Sequence, residues 1–174
     1  YINQRQMGAY YSKEDITGYI SKNSVVPFLR DAAREHCKEA FEGDRSVWRL
    51  LREDPDRYIH GAISLGAVNP LPPEVSAGVA DVSERGAWNK PAPADYALPM
   101  ETWREVVARR GHLGRLRARL SSGEVQGACD FTTNGLDIMR FALDVVERAE
   151  GPEILAAFWQ AINRVTILDP TCGS

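Results

Sequence analysis

At 174 residues, 44% hydrophobic and 26% charged, the chain can bury a core of its own and has the composition of a globular domain. No apolar stretch approaches a membrane-spanning length and the N-terminus lacks a basic-then-apolar signal pattern, which argues against a membrane partner. A net charge of -3 excludes wholesale coating of nucleic acid but not a local basic patch, and three scattered cysteines (Cys37, Cys129, Cys172) fit a reducing cytoplasm better than a disulfide scaffold.

Ser12-Lys13-Glu14-Asp15 reads as a helix start, a hydroxyl cap followed by acids, and Ile16, Tyr19 and Ile20 follow at helical spacing. Asn23-Ser24 predicts an interruption before a second helix over residues 25–41, with Pro27 early enough to be tolerated and Gly43 as the stop. Residues 44–53 read as a short helix carrying Val47, Trp48, Leu50 and Leu51. Asp54-Pro55 ends it, and Asp56 caps a further turn through Tyr58 and Ile59.

From 66 to 99 the texture changes. Prolines at 70, 72, 73, 91, 93 and 99 predict a long irregular segment with one short helix near 73–79, and long ordered loops are commonly functional. A helix resumes over 100–120, where Val106, Leu113, Leu116 and Leu120 form an apolar stripe. Gly111 and Gly114 predict a break in its middle, and Ser121-Ser122-Gly123 closes it.

Residues 134–150 form another amphipathic helix, with Leu136, Met139, Leu143 and Val146 as its apolar face. After Gly151-Pro152, Ile154, Leu155, Phe158, Trp159 and Ile162 line up in the next. The β-branched run Val165-Thr166-Ile167-Leu168 then reads as a buried parallel strand that delivers the turn Asp169-Pro170-Thr171-Cys172-Gly173-Ser174 to a ligand. The chain starts at Tyr1 and stops inside that turn, so the expectation is a fragment of a larger protein.

That closing turn resembles the cofactor loop of adenine-N6 DNA methyltransferases, D-P-x-C-G-S-G followed by a helix; Asp169, Pro170, Cys172, Gly173 and Ser174 match it. Gly8-Ala9-Tyr10-Tyr11-Ser12-Lys13 resembles the G-x-Y-Y-T-P segment that precedes the loop, with serine for threonine and lysine for proline. The order of the two, and the stretches around Trp48–Ile59 and Glu101–Arg110, are similar to the large fused restriction-modification and phage-exclusion methylases.

The resemblance implies a mainly α fragment that ends in the first strand of a Rossmann-like methyltransferase domain. Its implied organisation is a tyrosine segment and first helix (1–22), a helical region with the Pro/Gly-rich loop (23–131), and two helices leading to the strand and cofactor loop (132–174). It also implies S-adenosylmethionine as cofactor, double-stranded DNA and other defence-system subunits as partners, and cofactor contacts from Tyr10, Tyr11, Ser12, Asp169, Pro170, Thr171, Cys172 and Gly173. A carboxylate such as Asp169 suits the cofactor's ammonium, and glycine lets backbone lie against its amino-acid tail. The family's catalytic loop is an asparagine or aspartate, two prolines and an aromatic ring. It does not occur here: Asn69-Pro70-Leu71-Pro72 lacks adjacent prolines and the aromatic, so Asn69 reads as a turn residue. No catalytic residue is therefore expected in this chain, which should be inactive alone.

A second reading comes from Arg104, Arg109, Arg110, Arg115, Arg117 and Arg119, which face a single acid, Glu105, over that span. Arg109, Arg110, Arg115, Arg117 and Arg119 could meet DNA phosphates or an acidic partner, making a helical DNA-binding or partner-docking module. The plainer reading, which charge runs on helices favour, is a solvated face paired internally, Glu101 with Arg104 and Glu105 with Arg109. Histidines 36, 60 and 112 are far apart and make no metal-ligand pattern with the cysteines.

Overall fold

A computed structural model describes residues 13–43 and 46–168, with backbone only at 128 and 129. It is mainly helical: α1 (Glu14–His36), α2 (Arg49–Glu53), α3 (Gly61–Ser64), α4 (Pro73–Ala80), α5 (Trp103–Ser122), α6 (Ala128–Asn134), α7 (Ile138–Glu147) and α8 (Pro152–Arg164). Tight 3-10 turns lie at Lys38–Phe41, Pro55–Tyr58 and Val82–Ala87. Among the described residues no strand ladder forms, and two isolated antiparallel bridges pair Ile59 with Leu136 and Pro91 with Thr102. No described helix is long and apolar enough to cross a membrane.

Helix α1 runs unbroken through the predicted interruption. Asn23 Nδ2 donates to the Tyr19 carbonyl at 2.8 Å and Ser24 Oγ to the Ile20 carbonyl at 2.7 Å. Both side chains thus bond back onto the preceding turn, which satisfies them without opening the helix. The end comes at His36, ahead of the expected stop at Gly43. Acids in the first turn and Arg34 and His36 in the last match the helix dipole.

The chain forms two compact units. One comprises residues up to Val47 and from Ile138 onward; the other is Trp48–Asp137. The divisions therefore fall at 47/48 and 137/138 rather than at 22/23 and 131/132, because α1 crosses the first expected boundary as one rod.

In the first unit, α7 and α8 both pack against α1. Ala33, Phe41, Ile138, Phe141, Val145, Ile154, Ala157 and Ala161 are buried. Of the residues that the periodicity lined up on α8, Ile154 is buried. Leu143 and Val146 of α7 and Leu155, Trp159 and Ile162 of α8, placed by the sequence on the apolar faces, are 41–67% exposed. Each helix carries apolar residues on two faces, and the unit buries only one of them. After α8, Val165 has an extended backbone (φ -62, ψ 132), but residues 165–168 join no ladder or bridge among the described residues.

In the second unit α5 is the spine. Trp103, Val106, Leu113, Leu116 and Leu120 are buried along it, and α2, α3 and the Pro55–Tyr58 turn pack against it. Gly111 and Gly114 do not break it, since about 1 kcal/mol for each mid-helix glycine is outweighed by roughly 2 kcal/mol for each buried leucine. Thr102 and Glu105 form a capping box at its start, Glu105 Oε2 accepting from the Thr102 amide at 2.7 Å. Val75, Trp88, Ala97, Trp103 and Val106 form one core cluster, where Trp88 Nε1 donates to the Val75 carbonyl at 3.0 Å. Tyr96 meets Trp103 edge to face, ring centroids 5.0 Å apart.

The expected helix over 134–150 is split, because residues 136 and 137 are taken up by tertiary pairing. Leu136 bridges Ile59, and the Asp137 amide donates to the Tyr58 carbonyl at 2.8 Å. The proline-rich span 66–99 holds α4 where a short helix is predicted, and it is tied down rather than loose. Asn69 Nδ2 donates to the Asp95 carbonyl at 2.9 Å, and the backbone at Gly66 (φ +65) lies against residues 95 and 96.

A Cβ at Gly66 would stand 2.6 Å from both the Asp95 carbonyl oxygen and Tyr96 Cα, in a left-handed conformation that disfavours any side chain. Gly66→Ala is therefore expected to destabilise the protein by about 2 kcal/mol or more, read as a lowered midpoint in urea unfolding. An unchanged midpoint would show that this contact does not constrain the loop.

Candidate functional site

The residues implied as cofactor contacts, Tyr10, Tyr11, Ser12, Asp169, Pro170, Thr171, Cys172 and Gly173, lie outside the described residues. Their flanks are described. Lys13 is the N-cap of α1, and residues 165–168 follow α8. Both flanks belong to the same unit, where α1 packs on α8. Arg164, the last residue of α8 and next to the second flank, lies 3.3 Å from His36 Nε2 through its Nη1, at the end of α1 remote from Lys13. Cys37 is half-buried beside His36 and ends α1, its amide donating to the Ala33 carbonyl at 2.9 Å.

The arginines of α5 are described in full, and most are spent inside their own unit. Arg109 makes a two-pronged pair with Glu101, Nε to Oε1 at 2.8 Å and Nη2 to Oε2 at 2.9 Å. Its remaining hydrogens reach the carbonyls of Ile63 at 3.1 Å, Leu65 at 2.7 Å and Tyr96 at 2.8 Å. Both partners' side chains are only 10% exposed. The planar guanidinium is suited to this, because its fork can bond a carboxylate and several carbonyls together.

Arg110 donates to the Gly66 carbonyl and stands over the Tyr96 ring, 5.8 Å from its centroid. Burial, and then the neighbouring charge of Arg109, lower its affinity for the proton. Arg117 bonds Asp56 at 2.7 and 3.1 Å, and Arg119 bonds Asp130 at 2.9 Å and Asn134 at 3.0 Å. Arg104 donates to Asn89 at 3.1 Å. Arg115 is exposed.

The pairing differs from the helical spacing rule. Glu101 precedes α5 and bonds Arg109, eight residues on, while Glu105 turns back to cap Thr102. Glu101 could not be assigned from spacing, because it sits in the turn Leu98–Glu101, where it also accepts from the Leu98 amide at 2.8 Å. The signal available in the sequence was only an acid next to a helix start with an arginine two turns along. The hydrogen bonds from Arg109, and secondarily that from the Leu98 amide, hold the Glu101 carboxyl below the usual glutamate range despite partial burial.

Among the described residues no group of three or more His, Cys, Asp or Glu side chains is gathered to hold a metal ion. Comparison with known proteins finds no matching family profile, no similar curated protein and no similar solved structure.

Because its folded-state pKa is depressed, Glu101 contributes stability that is present above its unfolded pKa of roughly 4.3 and lost as pH falls through the folded value. Glu101→Gln is expected to flatten the acid side of a melting-temperature profile, and a parallel profile would disprove the coupling. Arg109→Ala should cost about 3 kcal/mol, since it strands a buried carboxylate and three carbonyls, whereas Arg117→Ala should cost no more than about 1 kcal/mol at its exposed pair. Chemical denaturation of the two variants distinguishes a clamp from a surface contact.

Proposed function

We propose that this chain supplies the tyrosine segment and the opening strand and loop of the cofactor pocket in an S-adenosylmethionine-dependent adenine-N6 DNA methyltransferase of a restriction-modification or phage-exclusion system. The observation that carries this reading is the pairing of Gly8-Ala9-Tyr10-Tyr11-Ser12 with Asp169-Pro170-Thr171-Cys172-Gly173-Ser174, in that order. The flanks of the two motifs belong to one unit, in which α1 packs on α8, with the end of α8 meeting the end of α1 remote from Lys13.

The donor set suits the cofactor. Asp169 offers a carboxylate to its ammonium, directly or through water, and Gly173 a bare backbone that can lie against its tail. Tyr10 or Tyr11 gives an aromatic face or hydroxyl, and Ser12 a hydroxyl where the family has threonine. When bound, S-adenosylmethionine supplies an electrophilic methyl group, which an adenine amino nitrogen accepts with loss of a proton. Reading a flipped adenine requires hydrogen-bond acceptors and a stacking ring. The asparagine-proline-proline-aromatic loop that provides them in the family does not occur in these residues, so this chain holds the donor and not the base.

The alternative, a DNA-docking helix, is less well supported, because Arg104, Arg109, Arg110, Arg117 and Arg119 all bond groups of their own unit.

In a protein that joins this chain to such a loop, methyl transfer to adenine in double-stranded DNA is expected. Asp169→Ala there should weaken S-adenosylmethionine binding by roughly 10- to 100-fold in titration calorimetry, the loss of a charge-assisted contact. The 174-residue chain by itself should bind the cofactor weakly or not at all and transfer no methyl. Cofactor binding unaffected by Asp169→Ala would overturn the assignment.

A further inference from the structure

The first unit holds an apolar groove of about 610 Å³, a size at which small-molecule sites are found. One wall is α1, which presents Gly18, Ser21 and Lys22 and then, further along the helix, Val25, Val26 and Leu29. The other wall is α7 and α8, with Met139, Leu143, Val146 and Phe158 on it. Polar groups thus stand at one end of the α1 wall and aliphatic ones at the other, over about 16 Å by helical rise.

Lys22 carries the one charge among the lining residues, and no acid lines the groove. Its neighbours one turn away on α1 are Gly18, Tyr19, Val25 and Val26, so its own helix offers it no carboxylate. Among the described residues it enters no salt bridge, whereas Arg30, Arg34 and Arg49 pair with Asp31, Glu42 and Glu53. Ser21 beside it keeps its hydroxyl unbonded among the described residues. Gly18, one turn earlier, has open space where a Cβ would stand. A mid-helix glycine weakens a helix, and no packing neighbour requires this one; it widens the groove at its polar end.

These features select among occupants. Two copies of the chain pairing groove to groove about a two-fold axis would bury both lysines with no counter-charge among the lining residues. A neutral apolar ligand would leave the ammonium equally unanswered.

We infer that the groove takes an anionic amphiphile, an aliphatic carboxylate whose head meets Lys22 and Ser21 and whose chain runs between α1 and the pair α7 and α8. The lysine stem lies along the apolar wall, and its ammonium meets the carboxylate at the mouth, where both keep part of their water. The inference goes beyond the methyl-transfer reading and does not depend on it.

The test is titration calorimetry on the whole chain without S-adenosylmethionine, so that its outcome is separate from that of cofactor binding. Three probes share a decyl chain: decanoate, 1-decanol and decyltrimethylammonium, each kept below the concentration at which it aggregates. Decanoate is expected to bind roughly tenfold or more tightly than 1-decanol, although the alcohol is the more hydrophobic, and the ammonium probe more weakly than either. Lys22→Glu should lower decanoate affinity by roughly tenfold or more and leave 1-decanol unchanged. Val146→Asp should abolish binding of both. Lys22 and Val146 are exposed, so both variants are expected to fold, which circular dichroism checks. In the isotope-labelled chain, decanoate should shift the methyl resonances of Val25 and Leu143.

Three results would overturn the inference: equal affinity for decanoate and 1-decanol that Lys22→Glu leaves unchanged, the mark of a merely apolar surface; a dimer in sedimentation that Val146→Asp disrupts, which would give the groove to a second copy; or no binding of decanoate at about 1 mM.

Discussion

The guanidinium of Arg109 is the point on which the second unit turns. It ties the spine helix α5 to the Glu101 carboxylate ahead of it and to the carbonyls of Ile63, Leu65 and Tyr96. Those carbonyls belong to segments rich in proline and glycine, which make few ladder bonds of their own and need partners for their backbone acceptors. One planar cation with five donors meets that need at a single place, where a lysine would offer a point charge and lose the geometry. The basic character of α5 is thereby largely structural: its charge organises the long loop rather than covering a helix face.

The first unit is organised on a different principle. Its three helices bury alanines, phenylalanines and isoleucines between them, while a second set of large apolar residues stays open to solvent. Scattered apolar residues on a surface are ordinary, but here several of them line one groove together with Ile167.

The arginines that composition offered as a nucleic-acid surface are drawn into internal bonds, which lowers the value of charge counting as a guide to partners.

The mainly helical class, the start of α1, the helix near 73–80, the stripe of Val106, Leu113, Leu116 and Leu120, and the closing Gly123 were legible from local patterns, because capping, spacing and proline placement act within a few residues. Continuity was not. Asn23, Ser24, Gly111 and Gly114 look like breaks, yet back-bonding in α1 and leucine burial in α5 outweigh their weak local penalties. Nor could spacing tell which of two apolar faces on α7 and α8 meets α1, since periodicity marks an apolar face without naming its neighbour. The partner of Glu101 and the place of Leu136 likewise depend on residues distant in the chain. Local chemistry thus determined the helical class and several helix boundaries; long-range packing alone decided which faces are covered and which charges are consumed.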